Sequence, residues 1–233
     1  MALPVISTDD FTGFVNVSQD TYMIPDFQDT IDDGIKSHLR CLLGDAAFID
    51  IRDNARAVYT SLFAGVDWVN TGGDEFICDS LTDVLKMLIY ADHAIEGHTV
   101  ETNVGIVSNI NENSIGPSGG VQAGKAVKRL SRAAEYWATI KDFIEFYRVV
   151  TQEILSVDLT DPLNPICTVE SATFLEDGNN IEILGVSYTA ASVTATTFTI
   201  ASAVGSSFLG EDAVWKPLEK VKSDLGDITV GFA

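Results

Sequence analysis

The sequence predicts an α+β protein: an N-terminal helical bundle of about four helices, a small C-terminal β domain and an extended C-terminal arm. Three observations carry this. Apolar residues recur at helical spacing from Phe27 to about Leu155, alternate with period two between about 165 and 210, and the two regimes are separated by Asp158-Leu-Thr-Asp-Pro-Leu-Asn-Pro165. Both residues that precede a proline there are pushed away from helix, so the stretch reads as a linker. The expected layout is a lead-in at 1–25, a helical domain at 26–157, a β domain at 158–215 and a docking arm at 216–233.

Residues 1–25 lack helical period and end in Tyr22-Met23-Ile24-Pro25. From Asp26 the pattern changes: Phe27, Ile31, Ile35, Leu39 and Leu42 or Leu43 share a helical face, with Asp26 and Asp29 in the first turn and Gly44 as the stop. A second helix is expected from about Asp45 to Leu62, carrying Phe48, Ile51, Ala55 and Val58 or Tyr59. A third starts at Ser80 as N-cap and shows Leu81, Leu85 and Leu88 before Gly97. The polar segment from Gly97 to Gly120 reads as a long loop with room for a hairpin. Val127, Leu130, Ala134, Trp137, Ile140, Ile144 and Tyr147 then define one face of a helix from about Val121 to Leu155. Phe143, Phe146, Val149 and Val150 add a second face, expected to be covered by the bundle and by a neighbouring copy. In the β region Ile181 and Ile183 alternate with Glu182, Thr197-Phe198-Thr199-Ile200 alternates likewise, and Asp177-Gly178 signals a turn. Ile228, Val230 and Phe232 alternate at the end of the chain and suit a sheet edge or groove.

The chain has 233 residues, with 34 acidic against 14 basic side chains and a net charge of -20, which opposes non-specific adhesion to DNA or to an anionic membrane. A channel that DNA slides through is compatible with such charge. Its distribution is uneven: residues 125–148 hold six basic and three acidic groups, while residues 149–215 hold nine acidic and no basic ones. Lys125, Lys128, Arg129 and Arg132 sit in the first turns of the long helix, where the dipole disfavours cations. They call for carboxylates nearby, with Asp67, Asp74, Glu75, Asp79 and Asp83 as candidates in the same copy or the next. Cys41, Cys78 and Cys167 are odd in number and match no metal or redox spacing, so synthesis in a reducing cytoplasm is expected. No secretion signal or bilayer span is read: the uncharged stretch 186–204 has eight Ser or Thr among 19 residues.

Gly119-x-x-x-x-Gly124-Lys125 approaches a phosphate-binding loop, but Ala126 stands where a magnesium-binding hydroxyl is required and no buried strand precedes it. His93, Glu96, His98 and Glu101 suggest a metal site, yet Gly97 ends the helix and no second ligand cluster follows. Asp29, Asp32 and Asp33, like the acids from Asp74 to Asp83, read as solvated helix-start or surface groups rather than paired catalytic carboxylates. No nucleophile motif is present, so neither catalytic residue, cofactor nor metal is assigned and the chain reads as a scaffold.

The ending Val221-Lys222-Ser223-Asp224-Leu225-Gly226-Asp227-Ile228-Thr229-Val230 resembles the C-terminal arm of tailed-phage head-tail connector (adaptor) proteins. The helices near residues 26, 45, 80 and 121 also look like that family's small bundle. Asn111-Glu112-Asn113-Ser114 before the long helix resembles neck ring proteins of crAss-like phages. The resemblance covers the helical part and the tail and leaves out residues 165–210. It implies a structural virion protein of the neck, made in the host cytoplasm. Such a protein forms a ring, usually of twelve copies, below the portal protein and receives the next neck or tail ring protein on its free face. Genomic DNA would pass through without sequence-specific binding. The portal-binding arm would comprise Lys222, Gly226, Asp227, Ile228, Val230 and Phe232, with Lys216 and Lys220 helping to orient it. Contacts between copies would use Lys125, Lys128, Arg129 and Arg132 against Asp74, Glu75 and Asp79. The alternatives are a stopper or tail-completion protein, a nucleotide-binding enzyme using Gly124-Lys125, and an acidic DNA mimic.

Overall fold

The computed structural model describes residues 4–11, 24–70, 72–96, 99–102, 105–108, 119–201, 208–225 and 228, with backbone alone at 24–27, 93–96, 99–102, 105–108 and 119–123. The fold is α+β, with five α-helices among the described residues and a curled seven-stranded sheet. The chain divides into two compact units, one of residues 1–55, 61–141 and 222–233, the other of 56–60 and 142–221.

In the first unit a 3-10 turn at Thr8–Phe11 leads to α1 (Ile24–Leu43). Pro25 lies inside the first turn of α1 rather than before it, because N–H groups there have no intrahelical acceptor to lose. Ile31, Ile35 and Leu39 bury the expected face. Helix α1 packs on α4 (Leu81–Glu96), which Ser80 caps as its sequence foretells: its Oγ accepts the Asp83 N–H at 3.2 Å and donates to the Phe63 carbonyl at 2.7 Å. The expected single helix over 45–62 is two, α2 (Asp45–Asp53) and α3 (Ala57–Ala64), the latter belonging to the second unit up to Thr60 and to the first from Ser61. The break is Asn54, whose extended backbone leaves the helix while its side chain donates to Asp50 Oδ1 at 2.7 Å, a local bond that competes with helical continuation. Strands β1 (Val66–Val69) and β2 (Glu75–Cys78) form a hairpin where no strand was expected. Strands β3 (Thr99–Thr102) and β4 (Gly105–Ser108) form a second, inside the long loop in which the sequence leaves room for a hairpin.

Helix α5 (Gly119–Tyr147) begins in the first unit, and its residues from Asp142 belong to the second. It stops eight residues before the expected end, Leu155, because Val149 and Val150 open an extended stretch. That stretch holds β5 (Val150–Glu153) and β6 (Ser156–Asp158). After it come β7 (Ile166–Thr168), β8 (Asn180–Ile183), β9 (Val186–Ala191), β10 (Thr197–Ile200) and β11 (Asp212–Trp215). The order β5-β11-β8-β9-β10-β7-β6 is antiparallel throughout. Its two edges are consecutive pieces of one chain stretch: Ile154 exchanges bonds with Glu211 O and Gly210 N, both at 2.9 Å, and Leu155 N donates to Thr168 O at 2.8 Å. The sheet therefore closes on itself as a small barrel. Asp158–Pro165 is thus no linker between domains: β6 pairs with β7, so the proline-bearing stretch is the connection of a hairpin.

Period two places Ile181, Ile183, Phe198, Ile200, Ala213 and Trp215 inside the barrel, with the Trp215 indole N–H donating to Thr173 O at 3.1 Å. The second apolar face is covered in part within its own chain: Phe143 is buried, Phe146 and Val150 are half-buried and Val149 is exposed. Phe143 and Tyr147 meet Phe174, from the β7–β8 connection, at ring-centroid distances of 6.0 and 4.8 Å. The β8–β9 turn is made by Leu184 and Gly185, with φ of 54° and 74°. Two left-handed residues suit the twist of a hairpin, but a leucine there costs on the order of 1–2 kcal/mol, which Asn or Gly would largely avoid.

A methyl group built on Gly34 of α1 would lie 2.7 Å from Ile89 Cγ1 of α4. Gly34→Ala should therefore destabilise the protein by about 1–3 kcal/mol through overpacking, although the same change on an open helix face would stabilise it. The shift of the urea midpoint checks the sign.

Candidate docking sites

Three surfaces bear on the roles read from the sequence. The first is the root of the C-terminal arm. Pro217, Leu218 and Val221 are buried, and Lys222 then fastens to the end of α1: its backbone N–H donates to Leu43 O at 2.9 Å and its ammonium to Cys41 O at 2.7 Å. Cations stabilise a helix C-terminus, where the last carbonyls lack partners. Gly44, at φ 90°, makes room, since a methyl group there would meet Lys222 Cβ at 3.1 Å. Sequence alone did not reveal this anchor, because the two contacting segments are 181 positions apart. Ile228 is half-buried; Gly226, Asp227, Val230 and Phe232 lie outside the described residues.

The second surface is cationic. Lys125, Lys128 and Arg132 are exposed in the first turns of α5, and Arg129 is half-buried. Arg132 turns along its own helix, donating to the Tyr136 hydroxyl at 3.0 Å with its guanidinium 5.4 Å from the ring centre. Among the described residues, Lys125 and Lys128 form no ion pair. Gly119, Gly124 and Lys125 are helical, so their backbone N–H groups form no phosphate-cradling loop.

The third surface is the β1–β2 hairpin. Trp68 and Phe76 stack at 4.8 Å on one face, while the other presents Asp67, Val69, Glu75 and Ile77 to solvent. At its turn Asn70 Oδ1 accepts the N–H groups of Gly72 and Asp74, and its amide donates to Asp74 Oδ2 at 3.0 Å. The candidate acids for the cationic helix are thus differently placed. Asp74 belongs to this turn, Glu75 is exposed beside Val69, and Asp79 is held by Thr139 of α5, whose hydroxyl donates to Asp79 Oδ2 at 2.9 Å and accepts the Asp79 N–H at 3.0 Å.

The surface from Trp137 to Val150, expected to meet a copy of the chain, is largely spent: Trp137, Ile140, Phe143, Ile144 and Tyr147 are buried within the single chain, and Val149 alone among the large aliphatics there is exposed. Among the described residues no group of three His, Cys, Asp or Glu side chains is arranged to hold a metal, and the side chains of His93, Glu96, His98 and Glu101 lie outside them. Also among the described residues, no helix is long and apolar enough to cross a membrane. No family model matches this chain, nor does any curated protein or solved structure.

The cysteines are free thiols, with Cys41 exposed and the other two buried. Burial pushes the Cys78 thiol up to about 12, aided by the charge of Asp79, and the Cys167 thiol up to about 11. Both stay protonated at pH 8, and the thiolate is the reactive form. A disulfide reagent at that pH should find one fast-reacting thiol per native chain, lost in Cys41→Ser, and three after denaturation.

Proposed function

We propose that the protein is a structural virion component, a head-tail connector ring beneath the portal that lines the path of the DNA and docks through its C-terminal arm. In this reading the helical part is the bundle of the ring, the β barrel an appended module and residues 216–233 the arm. The observation that carries it is the anchoring of Lys222. The end of α1 holds the chain up to Lys222, and beyond that point the sequence turns to the alternation Ile228, Val230, Phe232. A strand rooted in a folded unit can add to a sheet edge or wedge into a groove of a larger partner, with main-chain hydrogen bonds supplying affinity and alternate side chains supplying specificity. Asp227 and Gly226 would set the turn into that strand, and Lys216 and Lys220, both exposed, would orient its root.

Ring formation would bring the cations Lys125, Lys128, Arg129 and Arg132 against carboxylates of the next copy, offsetting the repulsion among four like charges close together on one helix. Asp74, Glu75 and Asp79 are the acids the sequence nominates. The strongly acidic remainder would face passing DNA with the same sign of charge, favouring sliding over adhesion. Twelve copies, a portal above and a further neck or tail ring below complete the arrangement.

Truncation separates docking from folding. A chain ending at Lys222 keeps both bonds to α1 and should stay folded with a nearly unchanged thermal midpoint, yet fail to join the cognate portal when the mass of the mixture is measured. A chain ending at Lys220 also loses Val221 and the α1 cap, and its midpoint should fall measurably. Portal binding that survives loss of residues 223–233 would sink the proposal.

A further inference from the structure

The barrel has two ends of different character. Because neighbouring strands alternate in direction, the β6–β7, β8–β9 and β10–β11 connections share one end, and α5 feeds the other. Six large aliphatic side chains stand at that far end, Leu159, Leu163, Ile166, Leu184, Val186 and Leu209, with fractional exposures of 38 to 65%. Elsewhere on the second unit only Val149 and Leu155 are comparably exposed among the described residues. Soluble proteins seldom gather so much apolar surface without a use for it.

Two further observations bear on that use. Leu184 occupies the left-handed turn at φ 54°, a conformation in which Asn would be easier and which nothing inside the barrel demands, since Leu184 points into solvent. An apolar side chain kept at a strained, exposed apex is explained by a contact outside the barrel. The flanks are also uniform in sign: Asp158, Asp161, Glu211 and Asp212 border the rim, and residues 149–215 contain no lysine or arginine. An occupant must therefore bring cations together with apolar surface.

We propose that this rim docks a second copy of the chain, seated on the cationic first turns of α5. That stretch is where the sequence concentrates positive charge, its Lys125 and Lys128 are exposed without an ion pair among the described residues, and long lysine and arginine stems can lie on leucine while their charged ends reach the flanking acids. The surfaces differ, so the contact is head-to-tail, with each copy offering one rim and one helix, a geometry that propagates to a ring or a filament. The inference rests on the ring reading above only in requiring that copies meet. It replaces the β1–β2 hairpin by the barrel rim as the acidic partner, because the hairpin face offers two exposed aliphatics where the rim offers six.

Complementation tests this with the full chain. A rim variant, Leu163→Ser/Leu184→Asn/Leu209→Ser, and a helix variant, Lys125→Glu/Lys128→Glu, are each followed by sedimentation velocity beside the wild type. Expected are assemblies for the wild type, monomers for each variant alone, and a two-chain complex when the variants are mixed, since one intact rim then meets one intact helix. Leu184→Asn alone should weaken self-association at least about fivefold while raising the thermal midpoint, an opposition that loss of folding would not produce. A monomeric wild type, a mixture that stays monomeric, or variants that assemble like the wild type would each overturn the proposal. In the last case the ring reading survives through another face, and the portal-binding assay judges it separately.

Discussion

The stretch from Val150 to Asp158 pairs on both sides. Its first half bonds to β11, its second half to β7, and Ile154 sits at the changeover with both backbone groups engaged. Because one continuous strand supplies both edges, the sheet closes with few exposed edge groups, and backbone donors that would otherwise need water or a partner are satisfied internally. Closure also sets which side chains face inward. Ile154 is fully buried, and the alternation of β8, β10 and β11 follows from it, delivering Ile181, Phe198 and Trp215 to one enclosed core.

The same closure sorts the connections. With strands alternating in direction around the barrel, half of the loops must lie at each end. The end that receives α5 is finished by aromatic contacts, Phe174 against Phe143 and Tyr147. The other end is closed inside by Phe208 of the β10–β11 connection, edge-on to Tyr188 at 5.5 Å, while the outward side of its loops is rich in leucine and carboxylates. A surface of this kind is costly to leave wet. The strained Leu184 adds a second cost in the same place, and two costs that coincide argue for a common compensation.

In the helical unit the corresponding constraint is close approach. Gly34 lets α1 and α4 touch through Ile89, and Gly44 lets the chain return from residue 222 to lie on the end of α1. That return joins the C-terminal segment to the first long helix through a charge-assisted bond to a carbonyl, so the chain up to Lys222 has a structural root on α1. The proposed docking role builds on this root, since an arm rooted in a folded unit loses less entropy on binding than a free one.

Much of the local structure was legible in the sequence. The face of α1, the Ser80 cap and the alternation at Ile181 and Ile183 depend on residues within one or two turns of each other, and spacing reports such effects directly. The break at Asn54 was hidden because helical apolar spacing continues across it, and the helix-to-strand switch at Val149 because β-branched residues there suit either period. Of the candidate site, the exposed cations on α5 could be read from charge and helical spacing, whereas most of the alternation at the end of the chain lies outside the described residues. Reading Asp158–Pro165 as a linker failed because proline restricts backbone angles without revealing whether the flanking segments pair. By itself the sequence determined periodicity, caps and the segregation of charge, all set over a few residues. Only the tertiary structure decided which strand meets which, that Lys222 caps α1, and that six leucines, isoleucines and valines from three connections and the strand ends beside them share one rim, because these follow from pairings whose members lie tens to nearly two hundred positions apart.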